Sequence, residues 1–120
     1  MSNPDEVLNE TFEMAVALFK DIYQITDTWP RLQTFSLIMD LRRTALNISM
    51  NLSEAWQSSG VYSQAFLSMA HDLFPQLQEC LRLAQKQSNL DQEPLLPLME
   101  RLAQLQERLA ALAPDVAQGT

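Results

Sequence analysis

From Leu95 to Leu112 leucine recurs at alternating intervals of three and four residues: Leu95, Leu98, Leu102, Leu105, Leu109 and Leu112. Only an α-helix gathers such positions on one side, because a turn of about 3.6 residues stacks i, i+3, i+4 and i+7. A seam this regular belongs to a helix packed along its length against other helices. The rest of the chain carries the same period. Glycine, which tight hairpins and phosphate-cradling loops need, occurs only at Gly60 and Gly119. β-Hairpins and P-loops are therefore disfavoured, and the expected fold class is all-α.

Four helices are expected, over about 4–28, 32–56, 61–87 and 93–113, as one domain of 120 residues with a frayed tail over 114–120. In the first, Leu8, Phe12, Ala15, Leu18 (with Phe19), Ile22 and Ile25 form the apolar stripe. Asn3 before Pro4 reads as an N-cap with proline at the first helical position. Trp29-Pro30 ends that helix, because the residue before proline avoids the α region. Ser58-Ser59-Gly60 is a turn. The third helix carries Tyr62, Phe66, Met69, Leu73, Leu77, Cys80 (with Leu81) and Ala84. Pro75 falls inside it and either kinks it or splits it; the continuing period favours a kink. Ser88 to Asp91 is the last connector, Pro94 and Pro97 suit a first turn, and Pro114 marks the end. Short connectors make sequential helices antiparallel, which gives an up-down-up-down four-helix bundle.

The second helix has more apolar surface than such a bundle uses. Leu37, Leu41, Ala45, Ile48, Leu52 and Ala55 make one face, while Phe35, Met39, Leu46 and Met50 lie off it. A helix apolar most of the way round is buried on more than one side, so the surplus points to a subunit interface. The remaining stripe is polar: Asp40, Arg43, Asn47, Asn51, Glu54 and Ser58. It is either a solvated strip or a buried seam in which Arg43 meets Glu54 of its own or a neighbouring chain. Those two lie about 16 Å apart along one helix and cannot touch within it.

Chemistry is scarce. His71 is the sole histidine and Cys80 the sole cysteine, too few for a di-iron bundle or a zinc site. His71 reads as a surface or interface residue and Cys80 as core. No nucleophile–base grouping, phosphate loop or dinucleotide fingerprint is present. The expectation is a non-enzyme with no cofactor, no metal and no catalytic residue. Helical spacing assigns Trp56, Tyr62 and Phe66 to the core ahead of base stacking. A lone thiol, no signal-peptide pattern and no long apolar run make a cytoplasmic chain without membrane spans the expectation. The formal net charge is −7, and of eight basic residues only Arg42-Arg43 are adjacent. Direct nucleic-acid binding is disfavoured, and a basic protein is the natural partner.

The run Leu41-Arg-Arg-Thr-Ala-Leu-Asn-Ile-Ser-Met-Asn-Leu-Ser-Glu-Ala-Trp56 resembles the hallmark of a bacterial four-helix-bundle family. That hallmark has an Arg-rich start followed by Ser-Ile-Pro-x-Asn-Ile-Ala-Glu-Gly. The family includes proteins encoded in intervening sequences of large-subunit ribosomal RNA genes, and the accessory variability determinant of diversity-generating retroelements. Phe66-Leu-Ser-Met-Ala70 resembles its third-helix Phe-Leu-x-x-Ala. Ala15 to Pro30, Leu77 to Ala84 and the leucine seam also fit, so the resemblance covers nearly the whole chain. It implies a homopentameric barrel and, by position, structural or interface roles for Arg42, Arg43, Asn51 and Glu54. Ser49 stands where the family often has proline and Ala55 where it has glycine. His71-Asp72-Leu73, with Pro75 after it, replaces a small, glycine-containing stretch. The family's retroelement member has a basic surface and binds a reverse transcriptase and its RNA, whereas this chain is acidic.

The expected function is thus a non-catalytic homo-oligomeric accessory protein whose partner, by resemblance, is a retroelement reverse transcriptase. The alternatives are an acidic scaffold for another basic protein and, behind it, a nucleic-acid-binding bundle. An enzyme hidden in the interface would have Arg43, Asn51 and Glu54 as its one polar cluster.

Overall fold

The computed structural model describes residues 3–112; the expected end of the last helix at Ala113 and the tail 114–120 lie outside them. Among the described residues there are five helical segments and no strand: α1 (Pro4–Thr26), α2 (Arg31–Gln57), α3 (Gly60–Asp72), α4 (Phe74–Gln85) and α5 (Leu95–Leu112). Segments α3 and α4 are two halves of one arm. Each of the four arms packs against two others; α2 touches α1 and the α3/α4 arm, and α5 touches the same two from the far side.

Helix α1 starts where its capping chemistry puts it. The Asn3 Oδ1 accepts the Glu6 backbone N–H at 2.8 Å, satisfying one of the N–H groups a helix start leaves without a partner. Asp5 and Glu6 occupy the first turn, where the helix dipole favours negative charge. The helix stops at Thr26, and the connector tucks Trp29 into the core at 5% exposure. Pro30 precedes α2, and the first turn of α2 is irregular at Thr34 (φ −125°, ψ 17°), whose hydroxyl donates to the Pro30 carbonyl at 2.7 Å.

The buried side chains form one cluster drawn from every arm. The leucine seam supplies Leu95, Leu98, Leu102, Leu105 and Leu109. Helix α2 supplies Ile38, Leu41, Ala45, Ile48, Leu52 and Ala55; Leu37, assigned to that face by its period, is only half-buried. Polar residues share these faces. Thr11, Thr26 and Ser49 are buried, and their hydroxyls donate to the carbonyls of Val7, Ile22 and Ala45. A hydroxyl satisfied by its own helix can enter a core without losing a hydrogen bond.

The third arm corrects the sequence reading. Tyr62 and Met69 are 73% and 52% exposed, Trp56 is exposed too, and Leu73 is half-buried. The inward series is Ser63, Leu67, Ala70, Phe74, Leu77, Leu81 and Ala84, with Ser63 half-buried and the rest buried. Tyr62, Phe66, Met69 and Leu73 sit one position before the residues that pack, Ser63, Leu67, Ala70 and Phe74. The Ser63 hydroxyl donates to the Ala55 carbonyl at 2.9 Å, a contact that needs small residues on both helices. Pro75 has no N–H for the His71 carbonyl, and the arm breaks at Leu73, whose backbone stays in the right-handed region (φ −85°, ψ −16°). The Leu77 N–H still reaches the Leu73 carbonyl at 3.2 Å. The inward phase therefore continues through the break. Gly60 opens α3 at φ +57°, which glycine adopts without strain.

Leu52 is fully buried in the C-terminal part of α2. Leu52→Ala is expected to cost about 2–5 kcal/mol. Urea unfolding monitored by circular dichroism should show a lower midpoint at an unchanged slope.

Candidate functional site

Helix α2 keeps a second apolar face outside the core. Phe35, Met39, Leu46 and Met50 are 60%, 45%, 41% and 55% exposed. Their spacing puts them on one side of α2, turned away from Ile38, Leu41, Ile48 and Leu52. Two grooves border this ridge. One, of about 340 Å³, runs between α1 and α2 over Phe12, Val16, Phe19, Lys20, Leu46, Ser49, Met50 and Ser53. The other, of about 470 Å³, lies between α2 and α3 and is lined by Asn47, Met50, Asn51, Glu54, Met69, Asp72 and Leu73. Met50 belongs to both.

The polar stripe divides into parts with different jobs. Arg42 faces α1: its Nε donates to the Thr26 hydroxyl at 2.9 Å and its Nη2 to the Tyr23 carbonyl at 3.2 Å. The guanidinium stacks over the Tyr23 ring, 3.8 Å from its centre, and Asp27 stands 3.6 Å away. A cation that bonds a last-turn carbonyl is favoured by the helix dipole, so Arg42 clamps the end of α1 onto α2. Arg43 points elsewhere and pairs with Asp40, three residues back, at 2.6 Å. Asn47, Asn51 and Glu54 line the α2/α3 groove without Arg43, so within one chain the stripe does not join Arg43 to Glu54.

The charges sort themselves. All six arginines are ion-paired inside the chain: Arg31 and Arg42 with Asp27, Arg43 with Asp40, Arg82 with Glu79, Arg101 with Asp21 and Arg108 with Glu10. Glu6, Glu13, Glu54, Asp72, Glu93, Glu100 and Glu107 are exposed and make no ion pair among the described residues. The open charge on this surface is therefore mostly negative.

Cys80 is buried. Burial pushes its thiol pKa up, and Asp40 and Glu79 push it further, so it is kept as the unreactive thiol. His71 is half-buried with its ring tilted against Phe74, the centres 6.4 Å apart. No group of three or more His, Cys, Asp or Glu among the described residues could hold a metal ion. No helix among them is long and apolar enough to cross a membrane.

A family model described as 23S rRNA-intervening sequence protein matches residues 9–111, which takes in both grooves, the Arg42 clamp and nearly all of the leucine seam. The chain belongs to the 23S rRNA-intervening sequence protein family. The comparison with curated proteins finds no match. In this family member the motif positions Arg42, Arg43, Asn51 and Glu54 thus split three ways: a clamp within the fold, a local ion pair, and two groove residues. Sequence reasoning placed Phe35, Met39, Leu46 and Met50 outside the core, where they stand. It passed over Phe12, Phe19, Lys20, Met69 and Asp72, which join the site only because α1 and α3 flank α2. The exposed size of Met69 beside the small inward Ala70 was the available signal.

Arg42 and Arg43 make a matched test of this division. Arg42→Ala removes charged hydrogen bonds from a side chain only 14% exposed and should cost about 1.5–3 kcal/mol. Arg43→Ala, at 64% exposure, should stay within about 0.5 kcal/mol. Thermal melts of the two variants side by side check it.

Proposed function

We propose that this member of the 23S rRNA-intervening sequence protein family is a non-catalytic accessory protein. In this reading it assembles with copies of itself through the outer face of α2 and docks a basic protein on its acidic exterior. The exposed row Phe35, Met39, Leu46 and Met50 carries the reading. Contiguous apolar surface bordered by polar residues marks interaction sites, and this row is not used by the fold. The arms are read as an up-down-up-down bundle. Support comes from the pairs Glu10–Arg108 and Asp21–Arg101, which run in opposite order along α1 and α5.

The resemblance to the accessory variability determinant gives the assembly its number, five copies in a barrel, and its partner, a retroelement reverse transcriptase. The charge distribution supports a protein over a nucleic acid as the docking partner. A phosphate backbone needs free cations that release counterions, and the arginines here are already neutralised by the chain's own carboxylates. The open carboxylates suit a partner that brings the positive charge itself. A cytoplasmic location belongs to the same reading.

The test is retention of a diversity-generating retroelement reverse transcriptase from the same genome on immobilised chain. Binding is expected at about 50 mM salt and should fade as added salt screens it. Gel shifts with RNA under the same conditions should show no complex. No retention of the enzyme at low salt removes it as the partner, and an RNA shift that weakens steeply with salt moves the function to nucleic-acid binding.

A further inference from the structure

We propose that copies of the chain join head to tail, the α1/α2 groove of one taking the α2/α3 edge of the next, with Lys20 set against Glu54 and Asp72 across the contact. This rests on the self-assembly proposed above and names the two halves of its interface.

The two grooves lie on either side of the α2 ridge and share Met50. They therefore stand at the same height along α2. Their charges are opposite. Lys20 is the one charged residue lining the α1/α2 groove, and Glu54 and Asp72 are the charged residues lining the other. All three are exposed, and none makes an ion pair among the described residues. Arg43, the neighbouring cation on α2, is already held by Asp40. The remaining walls are apolar or uncharged, with Phe12 and Phe19 on one side and Met69 and Leu73 on the other.

Such faces complement each other and not themselves. Two α1/α2 grooves face to face would oppose lysine to lysine, and two α2/α3 grooves would oppose carboxylates, which disfavours a contact of either groove with its own copy. A contact between unlike faces is heterologous, and it closes into a ring when the operation is a rotation without translation. Complementary patches at a common height along α2 are compatible with closure about an axis parallel to that helix. The occupant of each groove is a second copy because the same chain carries the matching edge at the matching level.

Charge reversal with swap rescue tests the pairing. Sedimentation equilibrium would be run on the unmodified chain, Lys20→Glu, the pair Glu54→Lys with Asp72→Lys, the three changes combined, and Lys86→Glu as a control. The altered side chains are exposed, so circular dichroism should show every variant folded. Each one-sided reversal is expected to weaken association by about tenfold or more. The combined variant should return to within a few-fold of the unmodified chain, and the control should not differ. One-sided reversals that leave association unchanged overturn the pairing while the assembly stands. So do reversals that weaken it without rescue in the combined variant. An unmodified chain that sediments as a single copy at every concentration overturns the assembly itself.

Discussion

Helix α2 has more apolar surface than its two neighbouring arms cover, and the rest of the molecule follows from how that excess is divided. One face, from Ile38 to Ala55, goes into the core against α1 and the α3/α4 arm. The other, from Phe35 to Met50, is left outside. The division is fixed by the residues that hold α2 in rotation. Arg42 ties it to the end of α1 through Thr26, Tyr23 and Asp27. Ser63 ties its end to α3 through the Ala55 carbonyl. Turning α2 about its axis would strand the Arg42 guanidinium, and a charge left without its partners in a half-buried place is costly.

The same fixing decides where the grooves fall. With α2 held in this rotation, α1 and α3 rise on either side of the Met50 ridge, one bringing Lys20 and the other Asp72. Charge use elsewhere reinforces this. The arginines are spent on joining helices, as in Arg101–Asp21 and Arg108–Glu10 between α5 and α1, or on local pairs such as Arg43–Asp40. What reaches the solvent unpaired is mostly carboxylate. Each exposed pair adds little stability by itself; their larger effect is on the sign of the field a partner meets.

Much of the fold was legible in the sequence because it depends on local rules. The Asn3 cap, the leucine seam, the break near Pro75 and the surplus on α2 are all set by a few neighbouring residues. The inward face of α3 was not legible in the same way. Reading by bulk selects Tyr62 and Met69, whereas close approach of two helices selects Ser63 and Ala70, and bulk carries no information about that distance. The buried Thr11, Thr26 and Ser49 escaped for a related reason: their hydroxyls are satisfied inside their own helices, which hydropathy does not register. At the candidate site, one helix's contribution could be read from its period. The partners on α1 and α3 could not, since they are set by tertiary packing.

In the proposed assembly the outer face of α2 is covered by other copies of the same chain. Light scattering on a sizing column measures it directly on the unmodified protein. The expected mass is well above 13.7 kDa, near five times that value if the family barrel forms, and unchanged on moderate dilution. A mass of 13.7 kDa at every concentration would contradict it and leave the Phe35–Met50 row to a different chain.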